Sequence, residues 1–212
     1  LNELAREKKI NSYTLNKCFG IICFMLEDWD SSVDHFRKAI DLFPSQKADN
    51  FFYSKDCYDA IMTVYFQVND TVSFRKSIEE KMQIEDTPEN RVDELTLLAT
   101  DYFRSGKLLK AEEYCEKIRE IDSYNFDALR LLSHLNFLRG SMLMTEYYAD
   151  IAGNNLRSDL DYYYLTLQFA IYQIIAGDIN NAISNIVIAK TIVGEDNCPE
   201  CDQLLDRFVY KE

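Results

Sequence analysis

The sequence predicts an all-α fold: an α-α superhelix, or solenoid, of about five helical hairpins, closed at its C-terminal end by a capping helix. Three observations predict it. An apolar pattern recurs with a period of about 34 residues between positions 13 and 196. A glycine, an asparagine or an acidic pair marks the turn inside each period, where a helix end often needs a positive φ. Only six glycines and three prolines are present, which is too few for a turn-rich β architecture.

Five repeating units follow from this period. They span residues 13–46, 55–88, 92–125, 126–159 and 163–196, and an eight-residue insertion precedes the second unit. The turns between the two helices of each unit lie at Glu27-Asp28, Asn69-Asp70, Gly106-Lys107, Gly140-Ser141 and Gly177-Asp178. Because no single unit can bury its apolar stripe alone, we expect neighbouring units to stack around one continuous core.

Residue size supports these units, because two helices that cross closely need small side chains at the crossing. The small residues on the first helices are Gly20, Ala99, Ser133 and Ala170, and those on the second helices are Ser32, Ala111, Thr145 and Ala182. The unit at 55–88 departs from this rule with Met62, Phe74 and Lys81. It is therefore either irregular or out of register.

Both ends of the chain have helical patterns. Residues 1–10 form a charged segment that could be the second helix of a preceding hairpin. Residues 199–210 form an amphipathic helix with Pro199 in its first turn, where proline is tolerated. The chain begins with Leu1 rather than Met, so we expect a fragment of a longer polypeptide. We predict one domain over residues 1–212.

The unit at 13–46 carries a specific set of residues: Phe19-Gly20, Cys23, Ser32, Phe36, Ala39 and Pro44. In this pattern, which is clearest in the first, third and fifth units, the chain resembles the tetratricopeptide-repeat (TPR) family. The resemblance implies a non-enzymatic scaffold or adaptor that binds a peptide or helix of a partner protein in a concave groove. An alternative comes from residues 97–107, which resemble a repeat in scaffold subunits of the anaphase-promoting complex. That alternative implies a self-associating subunit of a cell-cycle ubiquitin ligase.

The charge of the chain limits its partners. The formal net charge is −13, with 36 acidic side chains against 23 Lys and Arg, whereas nucleic acids are bound by clustered cations. We therefore expect neutral or basic protein partners, with a second copy in a homodimer as one candidate, and no nucleic acid. No uninterrupted apolar stretch of about 20 residues is present, so we expect no membrane insertion. The six cysteines lack a small-domain disulfide spacing, which predicts a cytoplasmic or nuclear location.

The family resemblance also indicates which side chains line the concave face. One position of the first helix is aromatic in four units, and several carboxylates and one cation lie at neighbouring positions. The predicted binding residues are Phe24, Phe66, Phe103, Phe137, Asp56, Asp93, Asp127 and Arg130. An aromatic row with an acidic rim suits an extended peptide or an amphipathic helix. The alternative is that these rings pack between helices as ordinary core.

A binding mode known in this family is excluded by the residues. Some members clamp the C-terminal carboxylate of chaperone tails with convergent Lys, Asn and Arg side chains. Lys17 matches the first of these positions, but Ile21, Ala60, Asp93 and Leu97 occupy the others. A carboxylate needs several convergent donors, so we predict that this clamp is absent.

Catalytic and metal-binding patterns are also missing from the sequence. It contains no Gly-rich phosphate loop, no His-Glu-x-x-His and no Gly-x-Ser-x-Gly, and its two histidines, His35 and His134, lie in different units. We predict no catalytic residue, no metal and no cofactor. Cys198 and Cys201 form a CxxC without the second ligand pair of a structural zinc site, and we interpret them as a coincidence. A reactive dithiol, or a metal held between two chains, stays open as an alternative.

Overall fold

A computed structural model describes residues 2–42, 48–84, 87–194 and 198–209, and all of its regular elements are helical. Eleven α-helices lie in this part of the chain: α1 Asn2–Met25, α2 Trp29–Leu42, α3 Ala48–Gln67, α4 Thr71–Met82, α5 Val92–Arg104, α6 Leu108–Ile121, α7 Phe126–Leu138, α8 Met142–Gly153, α9 Asp159–Ala176, α10 Ile179–Val193 and α11 Pro199–Leu204. A 3₁₀ turn at Glu89–Arg91 precedes α5, and a π-helical turn at Leu205–Val209 follows α11. The first ten α-helices form five consecutive pairs, and this all-α arrangement confirms the predicted fold class.

The turn inside every pair contains a residue with a positive φ. Glycine holds this position in the last three pairs, at Gly106, Gly140 and Gly177, whereas Glu27 and Asn69 hold it in the first two. Glycine adopts this conformation without steric cost, and other residues adopt it at a cost. The five turns lie at the residues that the sequence marks as turns.

The chain divides into two compact units, residues 1–101 and 102–212. In the first unit α1 and α2 cross closely at Gly20, whose added Cβ would lie 2.9 Å from the ring of Phe36. The Ser32 hydroxyl donates to the Gly20 carbonyl oxygen across the same crossing, at 2.8 Å. The core behind it joins α2 to α3 through Phe36, Ala39, Cys57 and Ile61. Small residues at the crossing thus allow two helices to approach and exchange a hydrogen bond.

The second pair corrects two details of the sequence analysis. Met62, Phe74 and Lys81 are all buried, so this pair is in register and larger side chains fill its crossing. The predicted insertion forms the first turns of α3, which begins at Ala48. Residues 2–10 likewise continue directly into α1 and are not the second helix of an earlier hairpin.

The second unit has two core clusters. One joins α7, α8 and α9 through Phe126, Leu129, Ala149, Ala152 and Leu165. The other joins α9, α10 and α11 through a set that includes both cysteines of the CxxC: Tyr163, Ala170, Ile186, Ala189, Cys198 and Cys201. Helix α11 therefore covers the end of the last pair, as its amphipathic pattern predicts. The prediction of one domain stays a prediction, and no described helix combines the length and hydropathy that crossing a membrane requires.

Candidate functional site

The predicted aromatic residues of the first unit both pack within their own hairpins. Phe24 is half-buried and meets Trp29 edge-on, with ring centroids 5.4 Å apart. Phe66 lies 6.1 Å from Phe74 across the next turn and is 60% exposed. Phe66 therefore presents more of its surface than an ordinary core ring. Phe24 is partly packed within its hairpin and partly exposed.

In the second unit the predicted aromatic residues join a larger cluster of rings. Phe103 meets His134 edge-on at 5.0 Å, and Phe137 stacks on Tyr172 at 4.0 Å with the planes 14° apart. His134 links the two contacts, because it also lies 5.5 Å from Tyr172. Burial, with the nearby charge of Arg130, lowers the pKa of His134 and keeps its imidazole neutral near pH 7. The cluster is thus a neutral aromatic surface on α5, α7 and α9.

The acidic rim predicted from the sequence is largely neutralised by the chain itself. Lys17 donates to Asp56 at 2.7 Å, and the Arg130 guanidinium lies 3.9 Å from Asp127. Asp93 is exposed at the start of α5. These ion pairs are solvent-exposed and weak, so a charged group of a partner can replace one member of a pair. They nevertheless reduce the net negative field near the predicted surface.

Arg130 forms the most distinctive surface contact of the second unit. Its guanidinium lies 5.6 Å from the centre of the Tyr164 ring, which is itself exposed. Arg130 Nε is buried and has no hydrogen-bond partner among the described residues, although the side chain as a whole is partly exposed. Arg130 and Tyr164 therefore form a cation–π pair that offers an apolar ring face and guanidinium donors side by side.

A buried polar cluster lies beneath this pair. Gln168 Nε2 donates to the Arg130 carbonyl oxygen at 3.3 Å and to the Tyr172 hydroxyl at 2.5 Å, while Gln168 Oε1 has no partner among the described residues. Burial raises the pKa of Tyr172 to about 12, against the opposing effect of its hydrogen bonds with Ser133 and Gln168. The buried Gln168 side chain on α9 therefore fixes the backbone of α7 at Arg130 through this hydrogen bond.

Sequence reasoning missed a buried ion cluster in the first unit. Lys81 is 3% exposed and donates to Glu94, which is 2% exposed, and to Asp59 at 2.7 Å. Burial depresses the pKa of Lys81, but the hydrogen bonds and charges of Asp59 and Glu94 outweigh burial and raise it. The sequence does indicate this cluster by two departures from the repeat pattern. Lys81 stands where other second helices carry alanine or isoleucine, and Glu94 stands where other first helices carry apolar residues.

The CxxC at the start of α11 contains a disulfide, which the sequence analysis did not predict. Cys198 and Cys201 are bonded, with their Cα atoms 5.3 Å apart, and both are buried. The Tyr163 hydroxyl donates to Glu200 at 3.2 Å and lies 3.4 Å from Cys198 Sγ. Burial, with the charge of Glu200, raises the pKa of Tyr163 to about 12. The disulfide thus lies in the core of the second unit that joins α9, α10 and α11.

Two of the free cysteines in the described part of the chain, Cys57 and Cys115, are buried. Burial raises the pKa of Cys57, and it raises that of Cys115 to about 12, so both are protonated and unreactive near pH 7. Within the described ranges, no group of three or more His, Cys, Asp or Glu side chains is placed to hold a metal ion.

Comparison with known proteins identifies the fold. No protein-family model matches the sequence, and no curated protein sequence matches it. Among solved structures, the Rap conjugation gene regulator of plasmid pLS20, in complex with the Phr* peptide, matches 100% of this chain with a TM-score of 0.67 and 12% identity. The chain spans 62% of the length of that protein.

Two further structures are described as TPR proteins. YrrB, a TPR protein with an unusual peptide-binding site, has a TM-score of 0.52 and 13% identity, with 86% of each chain covered. A thermophilic TPR protein of Thermus thermophilus, TTC0263, has a TM-score of 0.58 and 11% identity, with 91% of this chain and 98% of the other covered. This chain has a TPR-like fold. The resemblance of residues 97–107 to subunits of the anaphase-promoting complex is not shown by these comparisons.

Proposed function

We propose that this TPR-like chain is a non-enzymatic protein-binding module that holds a peptide or helix of a partner against α7 and α9. The observation that carries the proposal is the pair of Arg130 and exposed Tyr164, placed beside the aromatic cluster of Phe137 and Tyr172. Tyr and Arg are among the residue types that most often dominate binding energy at protein interfaces. The proposal takes further support from the Rap and YrrB proteins, whose descriptions include a bound peptide and a peptide-binding site.

Each residue type at this surface has a distinct role in the proposal. Tyr164 supplies a flat ring that an apolar side chain of the partner covers. The partly exposed guanidinium of Arg130 donates hydrogen bonds to a backbone carbonyl of the partner. Asp127, exposed one turn before Arg130, accepts from a cation or backbone amide of the partner. Half-buried Leu167 and Ile171 on α9 extend the apolar floor.

The charge of the chain favours a neutral or basic segment as the partner. The net charge of −13 repels an acidic peptide at long range and attracts a basic one. At short range, Asp127 and Arg130 present both signs, so a neutral segment also fits. We propose Phe66 as a separate contact point on the first unit, because its ring is the most exposed of the four predicted ones.

Selection from a random peptide library tests the proposal. We expect peptides selected on the native protein to bind a Tyr164→Ala, Arg130→Ala double variant at least about tenfold more weakly, since truncating an anchor residue commonly costs more than about 1.4 kcal/mol. Affinities are measured by fluorescence anisotropy of labelled peptides, with helicity by circular dichroism as the folding check.

A matched control separates the surface from a general loss of stability. Tyr147 and Arg157 have the same residue types, are exposed, and lie in the same unit on α8 and before α9. The Tyr147→Ala, Arg157→Ala double variant should retain the affinity of the native protein. Equal binding of the selected peptides by both double variants would contradict the proposal.

A further inference from the structure

The disulfide closes the first turn of α11, which is a very short helix. The helix has six residues, Pro199–Leu204, and the Cα atoms of Cys198 and Cys201 are 5.3 Å apart. Residues three positions apart are neighbours on one face of a helix, so the bond fits a helical turn. An isolated helix of this length is marginal at best in water, because its first turn fixes several dihedral angles for one hydrogen bond. The disulfide therefore holds a turn that the backbone alone holds weakly.

The two sulfur atoms are also part of the surface by which α11 docks. Cys198 and Cys201 are completely buried, and they pack in one cluster with Tyr163, Ile186 and Ala189 of α9 and α10. A change at the sulfur atoms is therefore a change inside the core that α11 covers.

The polar contacts of α11 lie at its exposed side. The Tyr163 hydroxyl donates to Glu200 at 3.2 Å, and Lys190 donates to Asp202 at 2.6 Å. Glu200 and Asp202 are both exposed, and exposed charged pairs contribute little to stability. The apolar part of the contact comes from the two sulfur atoms and from Leu204 in the same cluster. Docking of α11 is consequently sensitive to the state of the cysteine pair.

We propose that Cys198 and Cys201 are a site of reversible thiol–disulfide exchange, and that reduction releases α11 from the end of the second unit. The reductant is a low-molecular-weight thiol such as glutathione. Its thiolate attacks one sulfur atom to form a mixed disulfide, and a second thiol displaces the protein sulfur. The protein pair gains two electrons and two protons and becomes two cysteine thiols, while two reductant thiols become one disulfide. Oxidised glutathione reverses the reaction.

Two physical consequences of reduction favour release of the helix. Without the covalent bond, the two sulfur atoms separate to van der Waals contact and need more room in a packed core. Reduction also removes a cross-link that restricts the undocked chain, so the undocked state gains conformational entropy. Both effects shift the equilibrium toward an undocked α11, which uncovers Tyr163, Ile186 and Ala189.

The position of the pair links exchange to opening of α11. Because both sulfur atoms are buried, a thiolate reaches them only when the helix lifts from α9 and α10. The other cysteines, which all lie in the described part of the chain, are free: Cys18, Cys23, Cys57 and Cys115. The site requires neither Arg130 nor Tyr164, so its failure would leave the proposed peptide site unaffected.

Hydrogen–deuterium exchange of the native chain in glutathione buffers tests the proposal. We expect the pair to be a disulfide in oxidised glutathione and two thiols in reduced glutathione, reversibly, as shown by iodoacetamide labelling in denaturant and mass spectrometry. Backbone amides of residues 200–205 should exchange at least about tenfold faster in the reduced chain, because a cross-link commonly changes the folding equilibrium by more than about tenfold.

Two variants make the result specific to this pair. The Cys198→Ala, Cys201→Ala double variant should exchange at residues 200–205 equally in both buffers. Cys18→Ser removes an exposed free thiol and should keep the full response. The native comparison needs no substitution, so it decides the question even where alanine itself loosens α11.

Three results would overturn the proposal. One is exchange at residues 200–205 that reduction of the native pair leaves unchanged. Another is a pair that stays a disulfide, or stays two thiols, in both buffers. The third is a response to glutathione that persists in the double alanine variant.

Discussion

At the scale of single residues, the buried ion cluster around Lys81 makes a prediction about stability. Lys81→Met leaves Glu94 buried without its nearest cation, and an uncompensated buried charge costs about 3–5 kcal/mol. We expect the free energy of unfolding to fall by that amount, as measured by urea denaturation followed by circular dichroism.

Two companion variants show whether the loss comes from the unpaired charge. Lys38→Met removes a lysine from an exposed pair with Asp34 on α2, and we expect a change below about 0.5 kcal/mol. Lys81→Met combined with Glu94→Leu replaces both buried charges by apolar groups and should recover most of the stability. If the double variant were as unstable as the single one, lost packing rather than lost charge would be the cause.

Individual residues were the least predictable level of the molecule. Phe66 is exposed, whereas Phe137 stacks on Tyr172, which lies in the next hairpin along the chain. Contacts between distant positions depend on the side-chain rotamers of both partners, and periodicity does not specify those. The Arg130–Tyr164 pair was missed for the same reason.

At the scale of elements, the crossing of α1 and α2 predicts the effect of adding one methyl group. A Cβ on Gly20 would lie 2.9 Å from the buried ring of Phe36, which is too close for the ring to stay in place. We expect Gly20→Ala to lower the free energy of unfolding by about 1–3 kcal/mol despite the better helix propensity of alanine. Chemical denaturation measures the change.

Gly153 is the matched control for this substitution. It ends α8, and an added Cβ would meet only the Leu165 side chain at 3.5 Å, an ordinary contact. We expect Gly153→Ala to be neutral or to stabilise by up to about 1 kcal/mol. A Gly20→Ala variant as stable as Gly153→Ala would show that the crossing is looser than the structure indicates.

The elements themselves were predictable where apolar spacing and turn residues agree. Gly106, Gly140 and Gly177 mark turns because only glycine adopts a positive φ without cost, and the structure has a turn at each. The start of α3 was not predictable in the same way. Residues 48–54 add helical turns beyond one repeat length, and a fixed period treats such an extension as an insertion.

At the scale of the whole molecule, α11 covers the core of the last helical pair, and this cover predicts that α11 contributes to stability. A chain ending at Gly194 exposes the Tyr163, Ile186 and Ala189 cluster that α11 covers. We expect its Tm to fall by about 5 °C or more, because loss of about 1 kcal/mol shifts Tm by a few degrees in a chain of this size. Differential scanning calorimetry measures the shift.

Phe208→Ser tests whether any change near this terminus has the same effect. Phe208 is exposed on the π-helical turn, so its replacement should change Tm by about 1 °C or less. An unchanged Tm in the truncated chain would mean that α11 contributes no stability to the second unit.

The fold class was predictable because one sequence period encodes it several times, so that an error in one unit does not affect the rest. The partner was not predictable, because recognition depends on the few side chains that depart from the shared pattern. Arg130 and Tyr164 are such residues, and each occurs at its position in one unit only.

The Lys81–Glu94 pair also restricts how this repeat can evolve. In the other second helices the position of Lys81 holds Ala39, Ile118, Ala152 and Ala189, and in the other first helices the position of Glu94 holds Leu15, Cys57, Ala128 and Leu165. Duplicating or shuffling the hairpin that contains Lys81 would place an ammonium group against an aliphatic neighbour. The two charges therefore stay paired only where both hairpins are kept together in this order.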